Sequence, residues 1–345
     1  MSDLATAEKA SQPPPSWQSR ARWTKAAKLA GWRAAVAFPI TAFVSMVVFW
    51  LASIAPFNPL AAYLGAKFER VSIEQRAALA EELGINDAWI AIWGRWVRDV
   101  VLHWDWGYSR SMSRPVAEVL SERLPWTLML AGVGIALGVG ISLVLGVSAA
   151  RRPGSTIDRF ATGLAHLVQG IPPFVIALGA VAVFSLALGW LPVAGVSRGG
   201  ADPTWGSIAI HIVLPATVLG LSQVPWLLLN IRTSVITALT EDHVTAARAR
   251  GLPDRTTVWR HALPAALLPF VTVIGARLPE LVTGAVLVET VFAWPGLAAA
   301  TVDAAVSGDF PLLAAVTVLT CLMVLIGSLL ADALYVLVDP RVDDA

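Results

Sequence analysis

Apolar runs of about twenty residues recur along this chain, each long enough as a helix to cross the hydrocarbon of a bilayer. Six stand out, at residues 34–55, 126–150, 160–188, 208–229, 265–292 and 312–338. Within lipid a backbone finds no water, so a crossing segment must close its hydrogen bonds internally, and a helix does this within one segment. The expected fold is therefore an all-α integral membrane protein with six transmembrane helices. Composition agrees. Only 14% of the residues are charged, whereas a soluble domain carries roughly a quarter.

The runs divide the chain. Residues 1–33 form a basic tail with Arg20, Arg22, Lys25, Lys28 and Arg33 among Trp17, Trp23 and Trp32. Such a segment suits an anionic membrane surface and precedes the first span, 34–55, read as an uncleaved anchor. Residues 56–125 are extra-membrane and helical. Residues 126–338 hold the second to sixth spans, including a polar loop at 232–264, and 339–345 are a second tail. Gly170-Ile171-Pro172-Pro173 is expected to bend or interrupt the third span. Counting crossings puts both tails, the Arg151-Arg152 turn and 232–264 on one side. These segments hold most of the Lys and Arg, so that side is expected to be cytoplasmic.

In 56–125, Ser72 and Gln75 form a capping box for a helix ending near Gly84. Asn86 or Asp87 is expected to cap a second helix, on which Trp89, Ile92, Trp93, Trp96, Val97 and Val100 recur at helical spacing. Packing on the chain itself or on the membrane is expected for that stripe ahead of a partner.

The loop 232–264 reads as helix, turn, helix. Residues 234–239 and 241–250 are helix-forming, and Gly251 accepts the positive φ that ends a helix. Pro253 prevents continuation, and Asp254 is expected to cap a further helix leading into the fifth span. Two readings fit. The loop is a solvated connector whose arginines set topology, or its short helix fits a groove on another protein and passes a push into the two spans it joins.

The order of residues here resembles a known pattern. Thr245-Ala246-Ala247, then Gly251, then Leu263-Pro264, is similar to the "EAA" coupling motif of ABC-importer permeases, with Thr245 where the broad motif has Glu. Glu241 to Leu252, followed by Arg260-His261-Ala262-Leu263, resembles the dipeptide/oligopeptide/nickel branch. Trp104-Asp105-Trp106-Gly107-Tyr108-Ser109, Glu289 to Leu297 and Leu337-Val338-Asp339-Pro340-Arg341 resemble further elements of that family.

The resemblance implies a type I ABC-importer permease fold with a cytoplasmic coupling helix, in a bacterial inner membrane with both termini cytoplasmic. It implies contact with the ATPase through Glu241, Asp242, Ala246, Ala247, Arg250, Gly251 and Leu252. It also implies a second homologous permease subunit, two ATPase subunits or domains and an extracytoplasmic substrate-binding protein. Short peptides are the expected cargo. Nickel chelates, glutathione or another small solute are the alternatives within the family, and an ion-gradient-driven secondary transporter lies outside it.

The chain has no P-loop, so ATP and Mg are expected on partner subunits, with no cofactor of its own. No metal-spaced Cys/His cluster and no nucleophile–base pair is apparent, so neither a catalytic nor a metal site is expected. Arg277 and Glu280 are charges within the fifth span. An unpaired charge at mid-bilayer costs about 2.5–3.5 kcal/mol or more, and their three-residue spacing lets them meet on one helix face. They read either as a buried structural pair or as part of a substrate path that meets the charged groups of a zwitterionic peptide.

Overall fold

The computed structural model describes residues 16–54, 71–82, 87–197, 199 and 201–338. Five of its helices are long and apolar enough to cross a membrane, and six if one bent pair counts as a single broken span. Helix α1 (Ser16–Ile54) runs unbroken from the basic segment into the first apolar run. On the far side, α2 (Ile73–Glu82) begins with the expected capping box, since Ser72 and Gln75 exchange hydrogen bonds.

Helix α3 (Trp89–His103) corrects one expectation. Its N-cap is Ala88, without a side-chain bond, and Asp87 pairs instead with Arg95 at 2.5 Å. Gly84 and Asn86 lie outside the described residues. The tryptophan stripe of α3 packs on α1. Trp93 donates to Ser45 Oγ at 3.0 Å, and the Phe49 and Trp96 rings lie 5.3 Å apart.

A two-residue hairpin, Tyr108–Ser109 with Arg114–Pro115, leads into α4 (Val116–Ala150). The hairpin is tied down by buried Asp309, whose carboxylate accepts from Ser109 Oγ at 2.7 Å and from the Ser111 amide at 3.0 Å. Helix α5 (Thr156–Gly170) and α6 (Pro173–Ala180), prolonged by π-helical turns to Ala187, form the bent pair, 103° apart. The break falls at Ile171-Pro172-Pro173, where two prolines remove successive amide donors.

After α7 (Trp205–His211) comes α8 (Val213–Leu239). The fourth span was expected to stop near residue 229, but the helix continues ten residues further. The helix-forming residues 234–239 join it without a break, and Arg232 at the junction has its charge matched by a partner on α5 described below. Helix α8 packs along α4 at very close range. A Cβ on Gly138 would sit 2.8 Å from the Gly220 carbonyl oxygen, so only glycine fits. In lipid, helix pairing rests on such close van der Waals contact rather than on water exclusion.

Helices α9 (Asp242–Ala249) and α10 (Leu263–Val291) follow, then α11 (Leu297–Ser307) and α12 (Phe310–Val338). Between α9 and α10, Asp254 is the first residue of a short helical turn capped by Pro253, not the expected cap itself. The sequence reading has no counterpart of α11. This short alanine-rich helix buries Ala300 and Ala304 against Leu312 and Val116 on the far side.

Candidate functional site

The polar loop is built from its two ends inward. Val235 and Ala238 of α8 are buried together with Val258 and Ala262, which lead into α10. Onto this platform α9 lays the one inward stripe that an eight-residue helix offers, Val244 and Ala247. The remaining residues of α9 are exposed. Glu241 is its N-cap by backbone geometry, while its carboxylate lies 3.2 Å from His243 Nδ1.

The end of α9 is a Schellman turn. The Gly251 amide donates to the Arg248 carbonyl at 2.8 Å, and the Leu252 amide donates to the Ala247 carbonyl at 3.3 Å. Gly251 has φ +82°, in the left-handed region that glycine tolerates. Beyond the turn, Asp254 bridges Arg151 at 3.3 Å and Arg248 at 3.7 Å, linking α9 to the end of α4. These pairs are solvent-exposed and hold the loop in register more than they stabilise it.

Of the residues expected to meet a partner, Glu241, Asp242, Ala246, Arg250 and Gly251 are exposed together on the outer side of the loop, and Leu252 is half-buried. Ala247 differs from the others in being fully buried. It seats the helix and has no surface to offer. The residue count of a short helix gives its length, but only the platform decides which face is hidden.

A second feature was not anticipated. Asp158, buried at the start of α5, accepts from Arg232 Nε at 2.5 Å and Nη2 at 2.8 Å, and from the Gly154 amide at 2.7 Å. A forked guanidinium on both carboxylate oxygens is the strongest geometry for such a pair. It ties α5 to the part of α8 that holds α9. The available signal was Ser155 three residues before Asp158, an N-cap pattern that placed this carboxylate on a first helical turn.

Further along α8 and α10, a cavity of about 410 Å³ is walled by Gln169, Trp226, Asn230, Arg277 and Glu280, with apolar neighbours. Arg277 donates through Nη1 to Glu280, so the expected pair is formed. The guanidinium also lies over the Trp226 ring, 4.4 Å from its centroid. The two partners differ in freedom. The Arg277 side chain is 11% exposed and that of Glu280 59%. Arg277 Nε and Asn230 Oδ1 are buried with no hydrogen-bond partner among the described residues.

Glu289, at the far end of α10, is wholly buried. It accepts from Thr127 Oγ1 at 2.6 Å and from the Ala298 amide at 2.8 Å, which closes a structural knot between α4, α10 and α11. The side chain of Asp332, another span carboxylate, lies outside the described residues. Among the described residues no cluster of three His, Cys, Asp or Glu could hold a metal ion.

Comparison with known proteins places this architecture. The family model described as binding-protein-dependent transport system inner membrane component matches residues 142–344. An oligopeptide transport system permease protein, AppB, of Bacillus subtilis is 33% identical over 312 residues, covering 90% of this chain and 98% of the relative. A probable peptide ABC transporter permease protein, y4tP, of Sinorhizobium fredii is 32% identical over 306 residues, covering 88% and 95%. Among solved structures, an inward-facing conformation of the MetNI methionine ABC transporter matches with a TM-score of 0.53 at 19% identity, over 64% of this chain and 97% of that one. That last likeness is one of fold.

Proposed function

Because the chain belongs to the binding-protein-dependent transport system inner-membrane component family, we propose that it is one permease subunit of an ATP-driven importer of short peptides. In this reading an extracytoplasmic binding protein delivers the peptide. A second, homologous permease completes the pathway. Two ATPase subunits supply the energy, holding the ATP and Mg. The α9 loop and both termini face the cytoplasm, in keeping with the arginines gathered there.

The observation that carries the reading is the construction of α9. It is a short helix with two buried anchors, a glycine-dependent stop and an otherwise exposed surface, held on the ends of two membrane helices. A helix presented in this way can be gripped, and a displacement of it moves α8 and α10. Closure of the ATPases on ATP would favour one arrangement of those helices over the other, and a partner shifts such an equilibrium only by its differential contacts with the two states.

The test is reconstitution. The complex purified through this chain, with its copurifying subunits, is placed in proteoliposomes with binding protein and labelled trialanine. Uptake that requires ATP hydrolysis, with crosslinks from cysteines placed at Ala246 and Ala249 to an ATPase subunit, is expected. Uptake that persists without ATP and collapses with an ion gradient would replace this reading with a secondary transporter.

A further inference from the structure

The cavity between α8 and α10 has a feature that a purely structural ion pair does not need. Its cation is fixed and its anion is loose. Arg277 is mostly covered, stacked on Trp226 and engaged by Glu280 through one terminal nitrogen, while its Nε is buried without a partner among the described residues. A guanidinium presents its donors in a fork that a carboxylate can take two at a time. Glu280 uses part of that fork. Its own side chain, though it lines the cavity, is more than half exposed.

We propose that Glu280 is a resident substitute for a passing carboxylate. This rests on the importer reading above and names the chemistry of its path. A solute in transit places its free carboxylate on Arg277, with Trp226 holding the guanidinium in plane, and Glu280 is released. The released Glu280 then pairs with the solute's ammonium group. Every charge has a partner before the exchange and again after it, which matters where an unpaired charge is expensive. A solute bearing only a carboxylate leaves Glu280 alone, and one bearing only an ammonium must leave Arg277 or share its counter-ion. The path therefore favours small zwitterions, such as peptides with both ends free. Asn230 Oδ1, buried and unpartnered on the same wall, is an acceptor available to a peptide N–H.

The experiment uses the reconstituted complex with binding protein and three probes: trialanine, its C-terminal amide and its N-acetyl derivative. Transport is measured per ATP hydrolysed and expressed as the ratio of each modified probe to trialanine. Comparing that ratio between wild type and variant removes the preference of the binding protein, which is the same in both. In wild type both modified probes lose transport, by about tenfold each, the worth of one charge-assisted hydrogen bond. In Glu280→Gln the loss from N-acetylation disappears and that from amidation remains. In Arg277→Gln the loss from amidation disappears.

Ratios unchanged in both variants overturn the exchange, even where uptake is robust. Absence of any ATP-dependent uptake of trialanine by wild type overturns the importer reading instead, so the two failures are distinct. Should Arg277→Gln fail to assemble with its partners, Glu280→Gln decides alone, since its side chain is more than half exposed and its neutral amide preserves shape.

Discussion

The Gly251 turn can be tested by a graded series. A Cβ at this position would meet nothing within 4 Å. Substitution therefore has no steric component, and any effect comes from the backbone, where φ is +82°. Holding a non-glycine residue in the left-handed region costs ~1–2 kcal/mol, with Asn at the low end and β-branched residues at the high end. On a two-state view of the turn that is roughly a 5- to 30-fold loss in the ratio of native to rearranged loop. The predicted order of damage is Gly251→Asn, then Gly251→Ala, then Gly251→Val. The assay is peptide-stimulated ATP hydrolysis in proteoliposomes, with the amount of ATPase retained on purification measured beside it. Because Gly251 is exposed and a side chain there would touch nothing, thermal stability of the permease should change far less than stimulated hydrolysis. Equal and wild-type behaviour across all three variants would refute the argument. So would Val milder than Ala, since no backbone account gives that order.

Three further outcomes follow from contacts in the structure. Asp158→Asn breaks a buried forked pair and should lower stability by about 3–5 kcal/mol, while the double replacement Asp158→Leu with Arg232→Leu should cost less than either single change, read by thermal unfolding of the purified complex. Gly138→Leu should abolish accumulation of folded protein, because its Cβ would meet the Gly220 carbonyl at 2.8 Å, whereas Gly132→Leu, with nothing within 4 Å, should be tolerated; immunoblotting of membranes separates the two. Gly296→Ala would put a Cβ 2.2 Å from the Glu289 carboxyl and should destabilise by about 1–3 kcal/mol or more, with partial recovery on adding Glu289→Ala, which removes the clash along with the network.

The run of apolar segments made the all-helical membrane fold legible, because lipid leaves the backbone few alternatives. The loop helix and its stop were legible for a local reason: Gly251 and Pro253 act within their own turn. What depended on distant partners was not legible. Residues 234–239 read as helix from their own sequence, but nothing there says that they continue α8 without a break or that Arg232 at the junction is matched by Asp158 on another helix. Nothing in residues 241–252 says that Ala247 is hidden and Ala246 is not, because the platform of Val235, Ala238, Val258 and Ala262 comes from both neighbouring helices. Helix α11 is not legible because a short alanine-rich run has little periodicity to reveal it, and its place is fixed in part by Thr127, 170 residues from Leu297. The spacing of Arg277 and Glu280 predicted their pairing, but not the Trp226 face beneath the guanidinium, nor the cavity.

The loop and the cavity share their two supports. The platform under α9 is made by Val235 and Ala238 on α8 and by Val258 and Ala262 at the entry to α10. The cavity is walled by Trp226 on the same α8 and by Arg277 on the same α10. Twelve residues separate Ala238 from Trp226, about 18 Å along a helix, and fifteen separate Ala262 from Arg277, about 22 Å. Prolines that let such helices flex lie at the cavity ends of these lengths, Pro225 beside Trp226 and Pro279 two residues past Arg277, and Pro269 lies between Ala262 and Arg277. A grip on α9 that changes the spacing of the two helix ends therefore acts on the contact between Trp226 and Arg277 through helical segments of similar length. If peptide import works as proposed, the stacking that holds the guanidinium in plane is formed in one arrangement of α8 and α10 and loosened in the other. The hold on a carboxylate would then be strong when the solute enters and weak when it must leave. A cysteine pair at Leu229 and Val273, on the same cavity walls, crosslinked before ATP is added, should block uptake that the reduced pair allows, while leaving α9 able to bind an ATPase. A crosslinked complex that still transports would mean that the two helices move as one body and that the push at α9 is relayed elsewhere.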